Sequence, residues 1–353
     1  GLNWSGDWID HLENPSCGGP AKLYGYEVTK PRKSGATATA QEKLDYVAAI
    51  QTIKTTVFPG DPGSVTYFDK QDAVHFTLFN LGIHNSLRFL PWHREFIGRY
   101  EALLREVKPT LTLLYWDWTT DPSVTGPIVG PSTLPPTDGY MGVYNTVVGT
   151  PFATFGINRS KFGGAPSTYP GGGLTAAYQA TPLLSSVNYA DFWGHNQVSA
   201  SANSGIEHLP HDSAHCYING TMCSGHAARD PLFFMVHANA DHLWAKWQRR
   251  NSANVDPWSP STAYDVSQTD PAITGNLRPW DGTDGFWPWT GPGGYILAKT
   301  PAHHSIVYPP LYDDALLKVP VIPAGYACII EIPFYPPPLT ECTGFSDPGH
   351  LCL

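Results

Sequence analysis

The chain has 353 residues and a net charge of −9, with 42% hydrophobic but only 14% charged residues. That balance argues against nucleic acid or an anionic membrane as the main partner, and no apolar run reaches the ~20 residues that cross a bilayer. Gly and Pro number 34 each and aromatics make up 13%, so long turns and loops are expected around a modest, aromatic-rich core.

Residues 1–36 read as irregular, with turns at Pro15, Gly18-Gly19-Pro20 and Pro31. The start at Gly1 without Met, an even count of six cysteines and sequons at Asn3, Asn158 and Asn219 together predict a processed, secreted, oxidised and glycosylated protein. Six cysteines allow many pairings. The local spacing favours Cys216–Cys223 and Cys342–Cys352, leaving Cys17 with Cys328. Thr39-Ala-Gln-Glu42 is a capping box that opens a helix with Tyr46, Val47, Ile50 and Ile53 on one face. Pro59-Gly-Asp-Pro-Gly63 ends it.

A second helix is expected over residues 66–80. Phe68, His75 and Phe79 share a side there, which turns His75 inward. His84 follows nine residues later and His93 nine after that. Pro91 can open a third helix whose buried stripe is Trp92, Phe96, Tyr100, Leu103 and Val107. Leu113-Leu-Tyr-Trp-Asp-Trp118 is too aromatic for a surface loop and reads as a buried connector. Residues 119–200 lack periodicity and read as a long insertion over the helical core rather than a domain of their own.

The segment 207–247 holds the second cluster. His211 and His215 are four apart, on one face of a helix. Asp230 can cap and Pro231 start a further helix that carries His237 and, one turn on, Asp241. Residues 252–300 are again irregular, with Trp258, Trp280, Trp287 and Trp289 as anchors. Two or three short strands are expected in 305–335. No repeat or linker interrupts the chain.

Six of the fourteen histidines thus form two triplets, His75, His84, His93 and His211, His215, His237. All-imidazole sites suit copper, zinc, iron or nickel. The chain has no Cys-x-x-Cys and no His-Glu-x-x-His, so a structural zinc site and a zinc protease are disfavoured. Two neutral three-histidine sites fit a pair of copper ions with positions open for dioxygen and substrate. A two-zinc hydrolase would normally bridge its metals with carboxylates.

These residues carry a resemblance. His84-Asn-Ser-Leu-Arg-Phe-Leu-Pro-Trp-His93-Arg resembles the first copper motif of the tyrosinase and polyphenol oxidase family. Asp230-Pro-Leu-Phe-Phe-Met-Val-His237-Ala-Asn-Ala-Asp241-His-Leu-Trp244 resembles the second. Ile206-Glu-His-Leu-Pro-His211-Asp-Ser-Ala-His215 and Ala227-Ala-Arg-Asp230 are most similar to plant-type and short fungal members, and Tyr115-Trp-Asp-Trp matches the connector after the first site. The likeness runs from about Arg32 to Arg249, with the middle insertion unmatched.

The resemblance implies a mainly α fold, a four-helix bundle holding a type 3 dicopper centre, with long irregular loops and a few short β-strands. It implies His75, His84 and His93 as ligands of one copper and His211, His215 and His237 of the other. Dioxygen would be the co-substrate and small phenols the substrates, oxidised from o-diphenols to o-quinones, with monophenol hydroxylation in some relatives. A single catalytic domain over 1–353 is expected, with a first copper region 68–107, a second 205–249, no separate C-terminal shielding domain, and a monomeric, mature, active form.

The chain departs from the family in places. Val236 stands where a histidine commonly precedes the last ligand. Residues 76–83 contain no Cys, so no thioether to the second ligand is expected. Ser224 aligns with a Phe that plant relatives place over the second copper, which implies a more open site. Glu207 matches the glutamate that orients a water, and Asp212 stands where the family often has Asn. Both are candidates to accept a phenolic proton. Arg94 and Asp241 read as groups that hold the helices, and His208, His226 and His242 as loop or surface histidines. The competing readings are a tyrosinase with full monophenolase activity and, behind it, a haemocyanin-like dioxygen carrier with the same centre, which a single short unit with Ser224 at the shielding position argues against.

Overall fold

The computed structural model describes residues 31–57, 63–118, 127–129, 139–142, 151–159, 186, 189–194, 205–250, 271–280, 310–314 and 317. The early turns, Cys17–Cys328, Cys342–Cys352, Trp258, Trp287, Trp289 and most of the strands expected in 305–335 lie outside the described residues. What is described is mainly α, with two two-residue strands, β1 (Lys33–Ser34) and β2 (Leu114–Tyr115), paired in parallel.

Helix α1 (Ala40–Thr55) opens on the expected capping box. The Thr39 hydroxyl accepts the Glu42 amide at 3.2 Å and Glu42 accepts the Thr39 amide at 2.9 Å, which satisfies two of the donors a helix start leaves free. Tyr46, Ile50 and Ile53 are buried beneath it. Helix α2 (Tyr67–Leu78) is capped by Thr66, which accepts the Asp69 amide at 3.1 Å. It buries Phe68, Val74, His75 and Leu78.

Helix α3 (Phe89–Val107) begins two residues before Pro91. Pro91 still falls in the first turn, where a missing N–H leaves no intrahelical partner unsatisfied. Trp92, Phe96, Tyr100 and Leu103 are buried as expected, but Val107 is 38% exposed. The helix ends there, so its last apolar position projects beyond the core rather than into it.

The connector Leu113–Trp118 is buried except at Asp117. Its Trp116 amide donates to Met235 O at 3.1 Å, which pins it to helix α6 (Leu232–Arg250). Helices α3 and α6 pack on each other, with Tyr100 stacked on Phe234 at 3.5 Å and Arg94 over the Trp244 ring at 3.7 Å.

The middle of the chain contributes to this core. Phe155 meets Phe68 edge-on at 5.0 Å, and helix α4 (Tyr189–Trp193) sets Phe192 against Trp247 at 5.1 Å. Arg159 grips both oxygens of Asp230 at 2.7 and 2.6 Å, with both side chains fully buried. Asp230 also accepts the Leu232 amide at 3.0 Å, so it caps α6 as expected.

Asp241 gathers partners from three other parts of the chain. It takes Arg94 from α3, Arg32 at 2.8 Å and the Tyr312 hydroxyl at 2.6 Å. Arg32 also reaches Glu101 at 2.9 Å. Burying such charges stabilises only as a complete set, because one missing partner leaves a desolvated charge costing about 3–5 kcal/mol. His242 differs from the surface position expected for it. It is 2% exposed and lies between Tyr115 and Tyr312, at 4.5 and 4.6 Å.

Candidate dinuclear metal centre

His75 sits on α2 and His93 in the first turn of α3, while His84 lies on the loop between them. The second cluster begins with one turn of π-helix (Glu207–His211) that runs into α5 (Asp212–Ile218). Pro210 lies inside that turn. It has no N–H, and the wide turn is closed instead by the His211 amide on Ile206 O at 3.1 Å. Such single π turns are frequent at functional sites. His211 therefore precedes α5 rather than lying within it, and still meets His215 at 4.5 Å between ring centres. The expected disulfide Cys216–Cys223 ties α5 to the 3₁₀ turn Gly220–Cys223. His237 is in α6.

The six imidazoles come together as two groups, His75, His84, His93 and His211, His215, His237, each with ligand atoms within 4.8 Å of one another. The groups face each other, with His93 and His237 stacked at 4.2 Å. In five of the six, Nδ1 lies against a backbone carbonyl: His75 on Gly225 at 3.1 Å, His84 on Phe79 at 3.3 Å, His93 on Phe89 at 2.8 Å, His211 on Glu207 at 3.0 Å and His215 on Met222 at 2.9 Å. A carbonyl can only accept, so each of these Nδ1 atoms carries the proton and each Nε2 keeps its lone pair.

Two of those lone pairs meet no hydrogen-bond partner among the described residues. Nε2 of His75 and of His93 is buried without a hydrogen bond. Nε2 of His237 faces Nε2 of His211 at 3.1 Å and of His215 at 3.2 Å. Three ring nitrogens converging on one point fit a cation between them, and the orphaned buried nitrogens fit another. His237 departs from the pattern, since its Nδ1 has no partner among the described residues. Burial, reinforced by the neighbouring histidines, holds His75, His93, His215 and His237 well below the usual imidazole range, and takes His84 down to about 4. Neutral imidazole is the metal-binding form.

Two carboxylates flank the second group. Glu207 is 1% exposed and accepts the Asn85 amide and the Trp193 indole N–H, both at 2.7 Å. Burial raises its carboxyl above the ordinary range despite those bonds. Asp212 has its side chain 40% exposed and lies 2.9 Å from His211 Nδ1 and 3.3 Å from His208 Nδ1. Partial burial disfavours its charge, but the bonds to His208 and His211 prevail and hold it well below the usual carboxylate range. His208 is raised in turn, chiefly by its bond to Asp212. Ser224 is exposed and closes a turn, donating to Thr221 O at 2.8 Å. It immediately precedes Gly225, whose carbonyl holds His75 in the first group.

Two further residues at the site were not read from the sequence. Phe233 lies 4.1 Å from His237 and 4.8 Å from His75, and Phe89 lies 4.8 Å from His93 and 4.9 Å from His211. Each is four residues before a histidine on its own helix, a spacing that could have revealed them.

Residues 44–250 match the family model described as the common central domain of tyrosinase. That span covers more than half the chain, which belongs to the tyrosinase family of type 3 copper oxidoreductases. The family uses a dinuclear copper centre with dioxygen. The chain is 29% identical over 281 residues to the tyrosinase of Streptomyces antibioticus, covering 71% of this chain and 93% of that protein. It is 26% identical over 295 residues to grixazone synthase of Streptomyces griseus, covering 70% and 92%. Among solved structures, a functional unit of octopus hemocyanin aligns over 81% of this chain and 68% of its own, with TM-score 0.52 and 19% identity. That last likeness concerns the fold.

Proposed function

We propose that this protein oxidises o-diphenols to o-quinones with dioxygen, with monophenol hydroxylation as a secondary activity. In the overall reaction two diphenols each lose two electrons and two protons, and one dioxygen is reduced to two waters. The observation that carries the reading is the pair of facing, neutral histidine triplets whose Nε2 atoms are turned together by carbonyl anchors on Nδ1. His75, His84 and His93 would hold one copper, and His211, His215 and His237 the other. Bound there, the two coppers supply dioxygen binding and the path for electrons from phenol to oxygen.

The chain's own groups do the rest. Phe233 and Phe89 pack against ligands of both groups and exclude water between the helices. Asp212, part-exposed beside His211, and Glu207, whose carboxyl burial raises, are the two groups placed to accept a phenolic proton. Glu207 keeps lone pairs for a bound water beyond its two donors. Ser224, small where plant relatives carry Phe, leaves access to bulky phenols. We assign residues 1–353 to one catalytic domain, acting as a secreted monomer on small phenols.

Oxygen consumption by the copper-loaded protein, measured with a catechol and its matching monophenol beside a copper assay, tests this. Two coppers per chain with catechol turnover are expected. Two coppers with reversible dioxygen uptake and no turnover would instead identify a carrier. Asp212→Asn is expected to change the ratio of monophenol to catechol rates, and an unchanged ratio would remove Asp212 from proton transfer.

A further inference from the structure

We propose that helix α4, from the Pro- and Gly-rich middle of the chain, sets the position of His84 through a relay that runs from Trp193 through Glu207 to Asn85. This rests on the reading of His84 as a copper ligand, and it makes Trp193 a positioning residue for that ligand.

His84 needs such a device more than its five counterparts. It lies on the loop between α2 and α3, is only partly buried, and has the longest of the five carbonyl anchors, 3.3 Å to Phe79 O. The next residue, Asn85, has φ of 50°. A side chain in that left-handed region is uncommon and persists where the surroundings hold it. Its amide is held by Glu207 at 2.7 Å, and Glu207's other oxygen is held by the Trp193 indole at 2.7 Å. A second bond from the same helix reaches the same loop, the Tyr189 hydroxyl on Leu87 O at 3.1 Å.

The helix that delivers these bonds is itself fixed. Phe192 stacks on Trp247 of α6, and Phe192 O accepts the Ile206 amide at 2.9 Å, immediately before Glu207. Gly194 and Gly205 let the two segments touch backbone to backbone, since a Cβ on Gly205 would fall 2.1 Å from Gly194 Cα. The relay therefore links a loop ligand of the first group to the turn that precedes His211 in the second. If the indole N–H is lost, a buried carboxylate oxygen loses its donor. Glu207 can then turn away from Asn85, and the His84 loop loses its anchor.

The test is copper release from the loaded protein under a strong chelator, comparing wild type with Trp193→Phe, which keeps an aromatic ring and removes the donor. One of the two coppers is expected to leave about 10–100-fold faster, with the other released at the wild-type rate. In a Glu207→Gln background the same substitution is expected to add nothing, because the relay is already cut. Wild-type release of both ions from a Trp193→Phe protein with a lowered Tm would make Trp193 an ordinary core residue and overturn the proposal, as would full additivity with Glu207→Gln. If Trp193→Phe does not fold, Glu207→Gln alone decides. It is expected to speed loss of the same ion, and wild-type kinetics would overturn the relay. A wild-type protein that never holds two coppers would refute the metal assignment itself, independently of the relay.

Discussion

The two histidine triplets use the same side chains in different mechanical settings. The second is built on continuous structure, with His211 in a π turn leading directly into α5, His215 within α5 and His237 in α6, all three buried. The first combines two helical histidines with one on a loop, and that one is partly exposed. The second group also has Asp212 and Glu207 beside it, whereas His75 and His93 are surrounded by Trp92, Phe96 and Phe233. Ligand chemistry alone does not set a site's properties. One half of this centre is built on helical structure beside the charged groups, and the other is largely apolar and has its third ligand on a loop bonded to a distant segment.

The comparison breaks most completely at a helical ligand. His237→Ala is expected to lose one copper per chain and reduce catechol turnover to background, as read by metal analysis and oxygen consumption. Retention of both ions would mean that the ring is structural. Arg159→Met probes what supports the helix that carries His237. It strands the buried Asp230 at the start of α6 and is expected to cost about 3–5 kcal/mol, seen as a lower denaturant midpoint. An unchanged midpoint would show that this pair adds no net stability.

A pH series on the copper-free protein sharpens the contrast further. His75, His84, His93, His215 and His237 have lowered pKa values in the folded chain, so at these five positions the unfolded chain binds more protons as pH falls below about 6.5. Their stability contribution is complete above that value and is lost as pH falls towards the folded values, which for His84 means about 4. Tm should therefore fall steadily from pH 7 to pH 4, and a flat profile over that window would show the histidines to be unperturbed. The smallest effect is expected from Ser224→Phe. Stability should change by no more than about 0.5 kcal/mol while turnover of bulky phenols drops a few-fold. Equal rates in both proteins would remove Ser224 as a determinant of access.

Much of this architecture is local and so could be read from the chain. The Thr39 capping box, the Asp230 cap and the inward face of His75 follow from spacings of three to seven residues, and Cys216–Cys223 from its short loop. What escaped depends on partners far along the chain. His242 is buried because Tyr312 covers it, seventy residues further on. Trp193 reaches Glu207 from a stretch with no periodicity to announce a helix. The π turn at Glu207–His211 was hidden because His211 and His215 keep an ordinary helical spacing, and only the Pro210 between them hints at the wider turn.

The strap Met222–Gly225 gives the centre a shared support. Its first carbonyl holds His215 and its last holds His75, with Cys223 tying it to α5 between them. A change that loosens the strap should therefore disturb an anchor in each triplet at once. Reducing Cys216–Cys223 is expected to speed loss of both ions under a chelator, and faster loss of only one would contradict this.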